Sequence, residues 1–164
     1  MKKVIFILMV VIAPTLFATP LKENQYKVGE ARFKYLFWKI YDSSLFTEDQ
    51  TYSSINQALT LNIDYKRNIP KKRIVEATQG QWEKLNYEQN KIEKWSEKID
   101  DIIPEISKND QLAFHKDDEG IGAFYYNNEL IAKIEDKEFS EAFLSIWLSK
   151  NTSQPKLRRK LIGD

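Results

Sequence analysis

Aromatic and charged residues interleave along residues 28–46 (VGEARFKYLFWKIYDSSLF) without a sustained 3.6-residue period, which predicts two strands with a bend near Lys34 and Tyr35. Leu59, Leu61, Ile63 and Tyr65 alternate with Thr60, Asn62 and Asp64, the pattern of a half-buried strand. The period then changes. Pro70 opens a helix on which Ile74, Thr78, Trp82 and Leu85 share one face. A second helix over residues 88–102 lines up Ile92, Trp95, Ile99 and Ile102, and Pro104 stops it. Three short strands follow, over residues 112–115, 123–126 and 130–134. The turns between them are Asp117-Asp118-Glu119-Gly120 and Asn127-Asn128, and asparagine tolerates the positive φ of a tight hairpin. Phe139, Ala142, Phe143, Ile146 and Trp147 form the apolar stripe of a third helix. A last helix is expected with Ser153 as its cap, Pro155 in its first turn and Gly163 past its end.

Strands, two helices, a three-stranded meander and two helices predict an α+β fold, an antiparallel sheet with helices layered on one face, rather than a doubly wound one. Residues 1–18 stand apart. Lys2 and Lys3 precede an uninterrupted apolar run over residues 4–12, Pro14 breaks it, and Ala18 offers a small residue for cleavage. That is the build of a secretory signal peptide, and the run is short for a membrane span. Residues 19–164 are then expected as a single exported domain, periplasmic in a bacterium, with no stable membrane insertion once the signal is removed. The protein has no cysteine, which removes a lipoprotein anchor, disulfides, thiolate metal sites and cysteine nucleophiles. A single histidine argues against a polyhistidine metal site, and no cofactor or metal is expected. The 25 basic and 24 acidic residues nearly cancel, so nothing points to nucleic acid. Neither a G-x-G-x-x-G nor a Walker pattern is present.

Most polar clusters have a plain structural reading. His115 sits on a strand, the acidic turn lacks the register of a calcium loop, and the short basic clusters Lys71-Lys72-Arg73 and Lys156 to Lys160 read as solvated helix faces. Asp100-Asp101 reads as a solvated pair and the tryptophans as core. Arg32 differs. It lies in a strand dense with aromatics (Phe33, Tyr35, Phe37, Trp38 and Tyr41). Its planar fork suits a carboxylate or phenolate, and the alternative is local pairing with Glu30.

Residues 28–46, residues 68–78 (NIPKKRIVEAT) and residues 140–161 (SEAFLSIWLSKNTSQPKLRRKL) resemble the chalcone isomerase superfamily, most closely its small bacterial branch. The resemblance implies an open-faced β-sandwich with a ligand cleft between sheet and helices. Enzymes of that family close a phenolate onto an enone, with an arginine steering the phenolate and a threonine and a tyrosine acting on the developing enolate. A non-catalytic branch binds fatty acids, with the corresponding arginine near the carboxylate. Carried over, Arg32 resembles the arginine and Tyr41 falls near the threonine. Pro70, Ala77 and Ile146 stand where the enzymes have a tyrosine, an asparagine and a threonine or serine. Tyr65 and Tyr87 are candidates to stand in.

The expectation is an exported, non-catalytic binder of a fatty acid or similar amphiphilic or phenolic anion. Arg32 is expected at the head group, Tyr41 and Tyr35 beside it, and Ile74, Phe143, Ile146 and Trp147 along the pocket. The alternative is a chalcone-isomerase-type cyclisation using Arg32 and Tyr41.

Overall fold

The computed structural model describes residues 24–164. The segment read as a signal peptide, and residues 19–23 after it, lie outside the described residues. Strands β1 (Tyr26–Tyr35), β2 (Trp38–Thr47) and β3 (Leu59–Tyr65) come first, then helices α1 (Lys71–Lys84) and α2 (Gln89–Ile102). Strands β4 (Gln111–Lys116), β5 (Gly122–Tyr126) and β6 (Glu129–Ile134) follow, and helices α3 (Lys137–Leu148) and α4 (Pro155–Ile162) close the chain. The six strands form one antiparallel sheet in sequence order, each pairing with the next. This is the α+β, open-faced sandwich that the resemblance implies.

Strand parity sorts the side chains. One cross-strand row runs Leu45–Leu61–Phe114–Phe124, all fully buried. Phe143 and Phe139 of α3 meet Phe114 and Phe124, with ring centroids at 4.9 Å for Phe114–Phe143 and 6.2 Å for Phe124–Phe139. The core therefore sits between the sheet and α3. Asp136 caps α3 by accepting from the Phe139 amide at 3.0 Å. Behind α3, Trp82 of α1 tilts against Trp95 of α2, and its indole N–H donates to the Ala142 carbonyl of α3 at 2.9 Å. Burying rings of this size, with the indole nitrogen paired, stabilises the helical layer.

The close seating of α4 on β1 needs Gly29. A Cβ there would fall onto the carbonyl oxygen of Lys160. Two local expectations change. Ser153 does not cap α4: Gln154 holds the cap position, and the Ser153 hydroxyl donates to Gln81 on α1 at 2.6 Å. Strand β3 is not half-buried, because Thr60 and Asn62 are buried as well. It lies between β2 and β4, and the Thr60 hydroxyl is engaged by Gln25 at 2.6 Å and by His115 at 3.0 Å.

Candidate functional site

Phe33 of β1, Tyr41 of β2 and Tyr65 of β3 are direct cross-strand neighbours on the covered face. The Phe33 and Tyr41 rings stack at 5.1 Å, and Tyr41 meets Tyr65 edge-on at 6.2 Å. This aromatic row forms one wall of a cavity of about 210 Å³. Ile63 and Leu112 extend that wall along the sheet, Ile74, Ala77 and Thr78 of α1 face it, and Phe143, Ile146 and Trp147 of α3 close the side. The helical spacings explain the convergence: i, i+4 on α1 and i, i+3, i+4 on α3 each put their residues on one face. Arg73, Gln81 and Gln154 complete the lining. Arg73, Ala77 and Gln81 recur every four residues, so the polar ends lie along one stripe of α1. Among the described lining residues, Arg73 alone carries a charge. Its side chain is 75% exposed and its Nη1 donates to Glu76 at 3.2 Å, which places the cation at the mouth and not in the interior.

Two phenols supply polarity inside. The Tyr41 hydroxyl accepts from the indole N–H of Trp147 at 3.1 Å. Burial pushes the Tyr41 phenol up to about 12, opposed by that hydrogen bond. Burial pushes Tyr65 up further, with the neighbouring Tyr41 adding to it. Among the described residues the Tyr65 hydroxyl has no hydrogen-bond partner, and none accepts the Tyr41 O–H. Both phenols stay protonated at neutral pH, so they can donate to a guest oxygen. They are poor general bases.

The sheet separates the residues expected to share a site. Tyr41, Ile74, Phe143, Ile146 and Trp147 all line the cavity. Arg32 does not. It lies between Ala31, which is buried, and Phe33, which lines the cavity, so alternation sends it to the other face of the sheet. There its guanidinium grips Asp42 with two bonds, Nε to Oδ1 at 2.5 Å and Nη2 to Oδ2 at 2.9 Å, and Lys66 approaches the same carboxylate at 3.4 Å. The hydrogen bond from Arg32 holds the Asp42 carboxyl below its ordinary range. Nor does Arg32 pair with Glu30, which is bound to Lys27 at 2.7 Å. Tyr35 ends β1 with 65% exposure and is not part of the lining. The catalytic pairing of Arg32 with Tyr41 fails geometrically, since the two occupy opposite faces.

Of the remaining candidates, Ala77 and Ile146 line the cavity and Pro70 does not. Tyr87 also lies outside the lining, its hydroxyl 3.1 Å from Ser145 Oγ. His115 is held by Thr60, and burial lowers its pKa. Asp117 closes its turn by accepting from the Ile121 amide at 2.8 Å, and Asp118 accepts from the Ala58 amide at 3.0 Å. No group of three or more potential metal ligands occurs among the described residues. Arg73, expected on a solvated helix face, is solvated as expected and also borders the cavity, a place the sequence reading did not give it. Its spacing of four from Ala77 was the available signal.

The profile of a family described as chalcone isomerase-like matches residues 24–163. An uncharacterised protein of Haemophilus influenzae is 26% identical over 136 residues, covering 83% of this chain and 67% of that protein. The crystal structure of the Arabidopsis thaliana fatty-acid binding protein AtFAP1 superposes with a TM-score of 0.65 at 9% identity, over 90% of this chain and 91% of that one. The six-stranded meander, the helices on one face and the match along nearly all of the described residues together place this chain in the chalcone isomerase-like family.

Proposed function

We propose that this protein is an exported, non-catalytic binder of an amphiphilic anion of the fatty-acid class. The apolar body would occupy the cavity and the anionic head would meet Arg73 at the mouth. The observation that carries the reading is the cavity itself: about 210 Å³, walled by isoleucines and aromatics, with its one charged lining residue at the rim. The isoleucines and aromatics of the walls favour burial of an apolar guest, each buried CH₂ contributing about 0.8 kcal/mol. Burying a carboxylate deep among these walls would be costly, which favours a head group at the rim. The Tyr41 and Tyr65 hydroxyls can satisfy a second oxygen along the guest. Similarity of fold to a fatty-acid binding protein supports the same reading. Export rests on Lys2, Lys3 and the apolar run over residues 4–12.

Trp147 lines the cavity, so its fluorescence reports occupancy. Titration with fatty acids of increasing length should strengthen binding about fourfold per added CH₂, the equivalent of about 0.8 kcal/mol, until the cavity is full. Arg73→Ala should weaken the acids and leave the matching alcohols unchanged. Affinity independent of chain length, or no binding and no co-purified lipid by native mass spectrometry, would overturn the reading.

A further inference from the structure

Residues Tyr35, Leu36, Phe37 and Trp38 form the tip joining β1 to β2, and all four are exposed: 65%, 74%, 93% and 57%. Tyr35 pairs with Trp38, so Leu36 and Phe37 are the two turn residues. Short hairpin turns favour asparagine and glycine, because positive φ costs them little. The β5–β6 turn obeys this, with Asn127 and Asn128 at φ 49° and 72°. At the β1–β2 tip the left-handed position, φ 52°, holds a leucine. The tip therefore carries backbone strain and an exposed apolar surface together, neither of which the fold requires.

The residues behind the tip are basic. Lys34 and Lys39 are cross-strand partners one step from it, and both are exposed. The Arg67 guanidinium lies 4.1 Å from the centroid of the Trp38 ring. Of the acidic groups nearby, Asp42 is already held by Arg32 and Lys66. Asp64, the register partner of Asp42, lies one strand further in and accepts from Gln111 at 2.9 Å. An aromatic and aliphatic tip backed by lysine and arginine is the composition of an interfacial anchor. Tryptophan and tyrosine settle at headgroup level, and the cations meet anionic lipid.

We propose that the β1–β2 tip docks this protein reversibly on the surface of a bilayer containing anionic phospholipid. Phe33 and Tyr41 of the same hairpin line the cavity, so docking would bring the cavity's end of the sheet to the lipid. That last link rests on the ligand reading above; the docking itself does not.

Trp38 supplies a selective readout, since Trp82, Trp95 and Trp147 are all buried. The full chain is mixed with vesicles of phosphatidylglycerol carrying brominated acyl chains. Trp38 emission should shift to the blue and be quenched, less so with brominated phosphatidylcholine, and the effect should weaken as salt rises. The readout separates docking from any attachment through the apolar residues 4–12, which would leave Trp38 unquenched. Phe37→Asp and Lys34→Glu/Lys39→Glu should each weaken quenching at least tenfold. Replacing Leu36-Phe37 by Asn-Gly should abolish quenching while raising the thermal midpoint, an outcome that misfolding cannot imitate. Ile146→Trp, which fills the cavity, should leave quenching intact; if it abolished quenching with the thermal midpoint kept, the quenching would belong to lipid entering the cavity, and the docking proposal would fall while the ligand reading stood. Unquenched Trp38, quenching unchanged in Phe37→Asp, or a blue shift without vesicles accompanied by a doubled mass in light scattering would each overturn the proposal, the last by assigning the tip to a second copy of the chain.

Discussion

Two cross-strand rows one residue apart in β1, β2 and β3 have opposite characters. Phe33, Tyr41 and Tyr65 form the aromatic wall of the cavity, whereas Arg32, Asp42 and Asp64 form a polar row on the other face. The same two hairpins make both, and the pleat alone separates them. On the covered face, stability comes from burial, and the proposed binding would as well. On the outer face, ion pairs sit near solvent, where such pairs contribute little. A one-residue difference in register would exchange the rows, so the aromatic row fixes the register as firmly as it shapes the cavity.

The largest test of that contrast lies in the helical layer on the covered side. Trp82→Ala removes a fully buried ring and its indole bond to the Ala142 carbonyl, which keeps the Ser145 hydroxyl as a donor at 2.8 Å. Urea unfolding should show a loss of about 3–5 kcal/mol; a loss under about 1 kcal/mol would mean that the covered side is not where stability resides. Next is Gly29→Ala, whose methyl group meets the α4 backbone. Its cost should be about 1–3 kcal/mol by the same measurement, and a neutral result would show that α4 shifts freely on β1. Ile146→Trp sharpens the division between packing and binding. Because it grows into existing space, the thermal midpoint should move little, while fatty-acid affinity should fall at least tenfold.

The smallest effect belongs to the outer face. Arg32→Ala should leave ligand affinity unchanged, and a loss of binding would return the arginine to the site. Its signature is in the pH dependence. With its folded pKa depressed, chiefly by the hydrogen bond from Arg32, Asp42 contributes stability that is present above about pH 4 and is lost as pH falls through the depressed value. Removing Arg32 lets that pKa rise toward its ordinary value. The fall in thermal midpoint between pH 5 and pH 2 should therefore be shallower in Arg32→Ala than in the parent protein.

Much of this was written in local patterns. The 3.6-residue stripes of α1, α2 and α3 fell where expected, because burial of one face imposes its period on the residues, whereas the alternation in β3 gave the strand but not its burial on both faces. The Asn127-Asn128 turn was legible because asparagine tolerates positive φ. The Leu36-Phe37 turn was not, since neither residue signals a turn; a bend was expected one or two residues too early. Ser153 was read as a cap because serine favours that place, yet its hydroxyl found Gln81, which is distant in sequence.

The site divides in the same way. Tyr41, Ile74, Phe143, Ile146 and Trp147, expected from apolar patterning and family resemblance, come together along the cavity. Arg32 was misplaced, although Ala31 and Phe33 on either side already indicated its parity. A motif aligned by resemblance fixes a position in the chain to within a residue or so, and in a strand one residue is the difference between two faces.

By itself, then, the sequence determined the elements, their order and which stripe of each is apolar, since these follow from side-chain periodicity along a short stretch of chain. Only the tertiary structure decided that α1, α3 and the β1–β3 rows leave a void between them. Only it showed that the cation at the rim is Arg73, and that Asp42 rather than a guest holds Arg32. Those outcomes depend on which distant residues meet across the sheet–helix interface, and on how completely their volumes fill it, quantities that no local pattern contains.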